Sequence, residues 1–131
     1  MTPAINPPEL GRPSGFSYAF DARGERTVHF SGHTALDGSG MIVGPGNLAA
    51  QFVQTLNNLR ATAAAAQVEL KDLVKLTIFV TDVEAYKDRS TEIGAVYRRY
   101  FGSHFPAMTL VGVTRLWEAD AMIEIEAVAV R

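Results

Sequence analysis

The run Leu73-Val-Lys-Leu-Thr-Ile-Phe-Val80 restricts the fold more than any other segment. It is rich in β-branched residues and nearly continuous in apolar character, which predicts a strand buried on most of its sides. Such a strand needs partners and cover, and the flanking patterns supply both. Upstream, Leu48, Phe52, Leu56, Leu59 and Ala63 recur at spacings of four, four, three and four, so they share one helix face, with Asn47 as its N-cap. Downstream, Tyr86 to Phe101 carries Ile93, Val96, Tyr97 and Tyr100 as the stripe of a second amphipathic helix. His104-Phe-Pro106 ends it, because the residue before a proline disfavours the helical region. Two further strands follow, Met108 to Thr114 and Ala121 to Val130, the latter alternating with period two over Ile123 to Ala127. At the front, Phe16 to Ala22 and Arg26 to Ser31, joined by Asp21-Ala-Arg-Gly24, predict a β-hairpin. Pro3, Pro7, Pro8 and Pro13 make the preceding segment irregular. The stretch from Asp37 to Gly46 reads as turns around a short strand, Met41-Ile-Val43.

The predicted order is β-β-α-β-α-β-β, an α/β (α+β) fold in which one mixed sheet carries two helices packed on one face. The 131 residues make one domain, 1–131. The second sheet face is left without cover, although residues 73–80 and 108–113 are apolar on both sides. A homo-oligomer that covers this face is the expectation.

Charge and composition exclude several classes of function. The net charge is −2, and the twelve Lys and Arg are scattered, the densest pair being Arg98-Arg99 in a predicted helix. This distribution lacks the clustered basic face that nucleic-acid binding needs. With no cysteine, disulfides, thiolate catalysis and Cys-based zinc sites are out of reach. His29, His33 and His104 have no H-x-H or H-x-x-x-H spacing, and no metal is expected. Gly38, Gly40, Gly44 and Gly46 lack the lysine and strand-to-helix context of a phosphate loop. No membrane-length apolar run and no secretory leader pattern occur, so a soluble cytoplasmic protein is expected.

Six stretches resemble, in order, the YjgF-like Rid (reactive intermediate deaminase) family. They are Phe30-Ser31-Gly32; Gln51 with Leu56-Asn-Asn-Leu59; Leu73 to Asp82; Val96-Tyr97 with Tyr100-Phe101; Phe105-Pro106-Ala107; and Ile123 to Ala129. The resemblance implies a chorismate-mutase-like (bacillus type) fold and a homotrimer with ligand clefts at the subunit interfaces. It also implies hydrolysis of enamines and imines to 2-keto acids and ammonia without a cofactor. Glu124 would be the catalytic residue, positioning the attacking water. Ser17, Ser31, His33, Met108, Leu110 and Arg115 fall at positions implied to bind the substrate.

The chain departs from the family pattern where the ligand is held. An arginine two residues after the proline usually anchors the substrate carboxylate bidentately, and here that position is Met108, whose thioether cannot hold an anion. His33 replaces a glutamine, Ser17 an aromatic residue and Gly94 an asparagine. Together these predict a deaminase of altered specificity with a more apolar cleft. The alternative is a non-catalytic ligand-binding or interaction module on the same scaffold. Arg115 and Arg12 are the arginines to test as a relocated anchor.

Each residue also has an ordinary reading. Glu124 and Glu126 alternate with Ile123 and Ile125, as a solvated strand face does, and the resemblance singles out only Glu124. His33 either meets a ligand or is satisfied by backbone. His29 and His104 read as structural, and Tyr97, Tyr100 and Phe101 as core. Trp117 either caps a pocket or buries at a subunit interface.

Overall fold

The computed structural model describes residues 3–131. Four strands form the main sheet: β3 (Thr27–His33), β4 (Leu73–Val80), β5 (Ala107–Gly112) and β6 (Ile123–Val130). They lie in the order β3-β6-β4-β5. The β4–β5 pair is parallel, whereas β6 is antiparallel to both β3 and β4. The Leu73 to Val80 run is therefore an interior strand, as its apolar continuity predicts. Cross-strand partners point the same way, so the register sorts every side chain onto one of two faces. Leu76, Ile78 and Val80 share the covered face with Ile123, Ile125 and Ala127, and all six are buried. Lys75, Thr77 and Phe79 share the open face with Thr109, Val111, Glu124 and Glu126.

Helix α1 (Leu48–Ala65) covers the first of these faces. Asn47 caps it, its side-chain oxygen accepting from the Ala50 N–H at 3.0 Å, and Leu48, Phe52, Leu56, Leu59 and Ala63 all enter the core. The second predicted helix is two: α2 (Val83–Asp88), capped by Asp82, and α3 (Ser90–Phe101). The break falls at Arg89, whose φ of −99° and ψ of 12° leave the helical region and let α3 take its own direction across the sheet. Gly102, with φ of 62°, ends α3 before the proline is reached.

The predicted hairpin is not formed. Residues Ala19–Phe20 (β2) pair instead with Ala4–Ile5 (β1) in a separate two-stranded sheet. Ser17 bridges Ala107 at the opposite edge of the main sheet, its N–H donating to the Pro106 carbonyl at 3.1 Å. The connector is the cause. Rather than closing a tight turn, it is captured by the C-terminal residue, whose carbonyl accepts from both Glu25 and Arg26 N–H at 2.9 Å. The preceding segment is accordingly steered past β3. Met41 to Val43 contributes one bridge, Leu36 to Ile42, rather than a strand. Its turns are organised by Asp37, whose carboxylate accepts from the Ser39 hydroxyl and N–H and from the Met41 N–H; these bonds pull its pKa down. No helix among the described residues is long and apolar enough to cross a membrane.

Candidate functional site

Parallel pairing of β5 with β4 aligns Met108 with Leu76 and Leu110 with Ile78 on the covered face. As β5 is the sheet edge, these two side chains form the floor of a cleft of about 680 Å³ instead of sinking into the core. Helix α3 supplies one wall through Ile93, Gly94, Tyr97 and Arg98, and Phe16 and Phe105 close the far end. Tyr97, Phe101 and Phe105 brace that wall as a stack, with Tyr97 centroids 4.4 and 5.4 Å from the other two rings.

The cleft is apolar with a few placed polar groups, the usual constitution of a small-molecule site. Burial raises the phenol pKa of Tyr97, with the neighbouring Tyr86 adding to it, and burial alone raises that of Tyr86. Both rings therefore present neutral hydroxyls at physiological pH. The Tyr97 hydroxyl donates to the His104 carbonyl at 2.7 Å. Tyr86, on the α2 side of the cleft, has no hydrogen-bond partner among the described residues.

Glu124 lies elsewhere. It points from β6 to the open face, opposite Phe79, while Met108 faces the helices, so one chain does not bring the two together. The Glu124 carboxylate sits against Gly32 of β3, where any β-carbon would collide with it. It is half-buried and has no hydrogen bond or ion pair among the described residues.

The remaining predicted positions are dispersed. His33 has both ring nitrogens engaged, by the Ser31 carbonyl and the Thr62 hydroxyl, each at 2.7 Å. The Nδ1–H tautomer satisfies both bonds, since a carbonyl can only accept, and the ring ties the end of β3 to α1. Ser31 and His33 line a shallow groove beside α1, apart from the Met108 cleft. Ser17 is buried, and its hydroxyl donates to the Phe105 carbonyl at 2.5 Å, which pins the lead-in segment to the cleft's end. The Arg115 guanidinium is used on its own loop, at 3.0 and 3.1 Å from the Leu116 and Trp117 carbonyls. Arg12 lines the adjoining groove under the proline-rich segment. Trp117 is 90% exposed in the single chain. His104 contacts the Leu73 carbonyl at 2.6 Å, the structural role expected of it.

Sequence reasoning named Met108, Leu110 and Gly94 but missed Tyr86 and Arg98. A signal for the second was available in the i, i+4 spacing of Gly94 and Arg98, which puts them on one helix face. Among the described residues no group of three His, Asp or Glu side chains is placed to hold a metal ion.

Residues 12–131 match the family described as endoribonuclease L-PSP. The 2-iminobutanoate/2-iminopropanoate deaminase of Escherichia coli strain K12 is 41% identical over 90 residues, a match spanning 66% of this chain and 66%, just under two thirds, of that protein. The Bos taurus protein of the same name is 36% identical, over 82% of this chain and 74% of its own. The crystal structure of YyfB from Yersinia pestis, described as a protein of unknown function of the conserved Rid family, superposes with a TM-score of 0.86 at 31% identity, covering 98% of this chain and 97% of that one. Fold, sequence and residue pattern agree: the chain belongs to the L-PSP family of YjgF-like Rid proteins.

Proposed function

We propose that the protein is a hydrolytic enamine/imine deaminase whose substrate range is shifted toward more apolar substrates, acting as a homotrimer in the cytoplasm. The observation that carries the reading is Glu124, a half-buried carboxylate with no protein partner among the described residues, set on an open sheet face where Gly32 leaves room for it. A lone carboxylate on a flat face cannot enclose a ligand, and the apolar cleft of Met108 and Leu110 has no carboxylate. In a closed trimer, the open face of one copy would meet the β5 edge of the next and join the two halves. The apolar groups of the open face, Phe79, Val111 and Val128, favour such burial. Sedimentation equilibrium should give three times the chain mass of 14.2 kDa; a monomer at micromolar concentration would remove the composite site.

The chemistry follows from these groups. An enamine first tautomerises to its imine. Glu124 takes a proton from a water as the water oxygen bonds to the imine carbon and passes it to the nitrogen, and in the next step it carries the hydroxyl proton to the same nitrogen. The resulting carbinolamine then expels ammonia as its C–N bond breaks and the carbonyl forms, so one imine and one water yield one ketone and one ammonia. The C=N carbon is already electrophilic, so the reaction needs no cofactor. General base catalysis of this kind contributes roughly 10²- to 10⁴-fold.

To test the reading, imines are generated in situ by an amino-acid oxidase or a dehydratase, and keto-acid release is followed against the uncatalysed rate. Acceleration is expected, greater for a leucine-derived imine than for 2-aminoacrylate. Turnover of 2-aminoacrylate equal to that of an arginine-bearing relative would refute the shifted range. Ligand binding without turnover, insensitive to Glu124→Gln, would instead establish the binding-module reading, which the separation of Glu124 from Met108 within one chain favours. The endoribonuclease of the family description is not carried over, because the basic residues are scattered and the net charge is −2.

A further inference from the structure

We propose that Arg98 is the anion-holding residue of the Met108 cleft, and that the ligand it selects is a small carboxylate whose hydrocarbon part packs on Met108 and Leu110. The inference rests on the proposed function only in taking this cleft as the ligand site. Arg98 stands one helical turn after Gly94 on the cleft side of α3. A β-carbon at position 94 would lie 3.4 Å from the guanidinium Nη1, so a longer side chain there would compete with Arg98 for the same space. With no long side chain at position 94, the guanidinium has room to lie over the cleft.

Its freedom from other partners is the second observation. Of the nine arginines, six spend their guanidinium on the protein. Arg23, Arg89 and Arg131 pair with carboxylates, Arg26 and Arg115 bond to carbonyls, and Arg60 bonds to Asn57. Arg98 has no such partner among the described residues, and Glu92, an acid of its own helix, is taken by Arg89 at 3.4 Å. A planar fork without a partner among the described residues, facing a pocket whose other lining groups are apolar or neutral, matches a carboxylate bidentately. The neutral Tyr86 hydroxyl can donate alongside it. Inorganic phosphate fits less well, since it would leave the Met108 and Leu110 floor without contact.

The test titrates the intact protein with 4-methyl-2-oxopentanoate, with its methyl ester and with inorganic phosphate, by calorimetry and by the NMR signal of the Met108 methyl. The acid is expected to bind best and to shift that signal. Arg98→Met should weaken the acid about 10- to 100-fold, the range of a lost charge-assisted pair, and leave the ester unchanged. Arg98→Lys should fall between, and Gly94→Leu should reproduce the loss with Arg98 intact. Melting temperatures matching the wild type show that the variants fold. The proposal is overturned if Arg98→Met binds the acid as tightly as the wild type, if ester or phosphate binds better than the acid, or if none of the three binds. Arg98-dependent binding without keto-acid release would refute the deaminase reading alone. Keto-acid release with an unchanged KM in Arg98→Met would refute this inference alone.

Discussion

Glu124→Gln is expected to lower imine turnover by at least about 100-fold, the lower end of what a positioned general base supplies, while the melting temperature stays within about 2 °C of the wild type, as befits an isosteric change at a half-buried side chain with no hydrogen bond or ion pair to lose. The amide matches the carboxylate in shape but cannot accept the proton of the attacking water. Because Glu124 has no hydrogen bond or ion pair among the described residues, its replacement by the isosteric amide breaks none. Two companions make the outcome specific. Glu126→Gln, on the same open face two residues on and exposed, should leave turnover unchanged. Gly32→Ala should mimic the loss without altering the carboxylate, since its methyl would force the Glu124 side chain out of place. Turnover in Glu124→Gln above half of the wild-type rate would make the carboxylate a bystander and leave the cleft as a binding site only.

What could be read from the sequence was what periodicity controls. The stripe from Leu48 to Ala63 and the interior run from Leu73 to Val80 both enter the core as expected, because burying an apolar face leaves a helix or strand few alternatives. The hairpin from Phe16 to Ser31 failed because local strand propensity does not name a partner. The Arg131 carbonyl, more than a hundred residues away, captures Glu25 and Arg26 and sends the segment to the other edge. The single second helix failed at Arg89, where no proline or glycine marks the break. For the site, the residues were legible one by one and their grouping was not. Alternation places Glu124 opposite Ile125, but only the β4–β5 register shows that Met108 lies on the face away from Glu124. Arg98 read only as one of two adjacent arginines in a helix, because its place beside Met108 comes from the packing of α3 against the β5 edge.

Gln51→Leu is expected to destabilise the fold by about 2–4 kcal/mol, a large share of the roughly 5–15 kcal/mol available to a domain. Gln51 is fully buried within the apolar stripe of α1, and its amide makes three bonds. It donates to the Gly44 carbonyl at 3.1 Å and to the Asp120 carbonyl at 2.9 Å, and accepts from the Met122 N–H at 2.8 Å. Leucine fills a similar volume, so the cost arises from the polar groups left behind, chiefly the Met122 N–H. Gln51→Glu should be no milder, because a buried carboxylate would face two carbonyl oxygens. Denaturant titration should show a lower midpoint with an unchanged m-value, and hydrogen exchange should quicken first at the Met122 amide; a loss below about 0.5 kcal/mol would contradict the assignment, being no more than an ordinary surface change. The effect should also reach the site. Met122 stands two residues before Glu124, so the amide that secures α1 to the loops on either side also fixes where β6 begins and where its carboxylate emerges. Turnover in Gln51→Leu is therefore expected to fall further than its folded fraction does, and activity that merely tracked the folded fraction would separate the two roles.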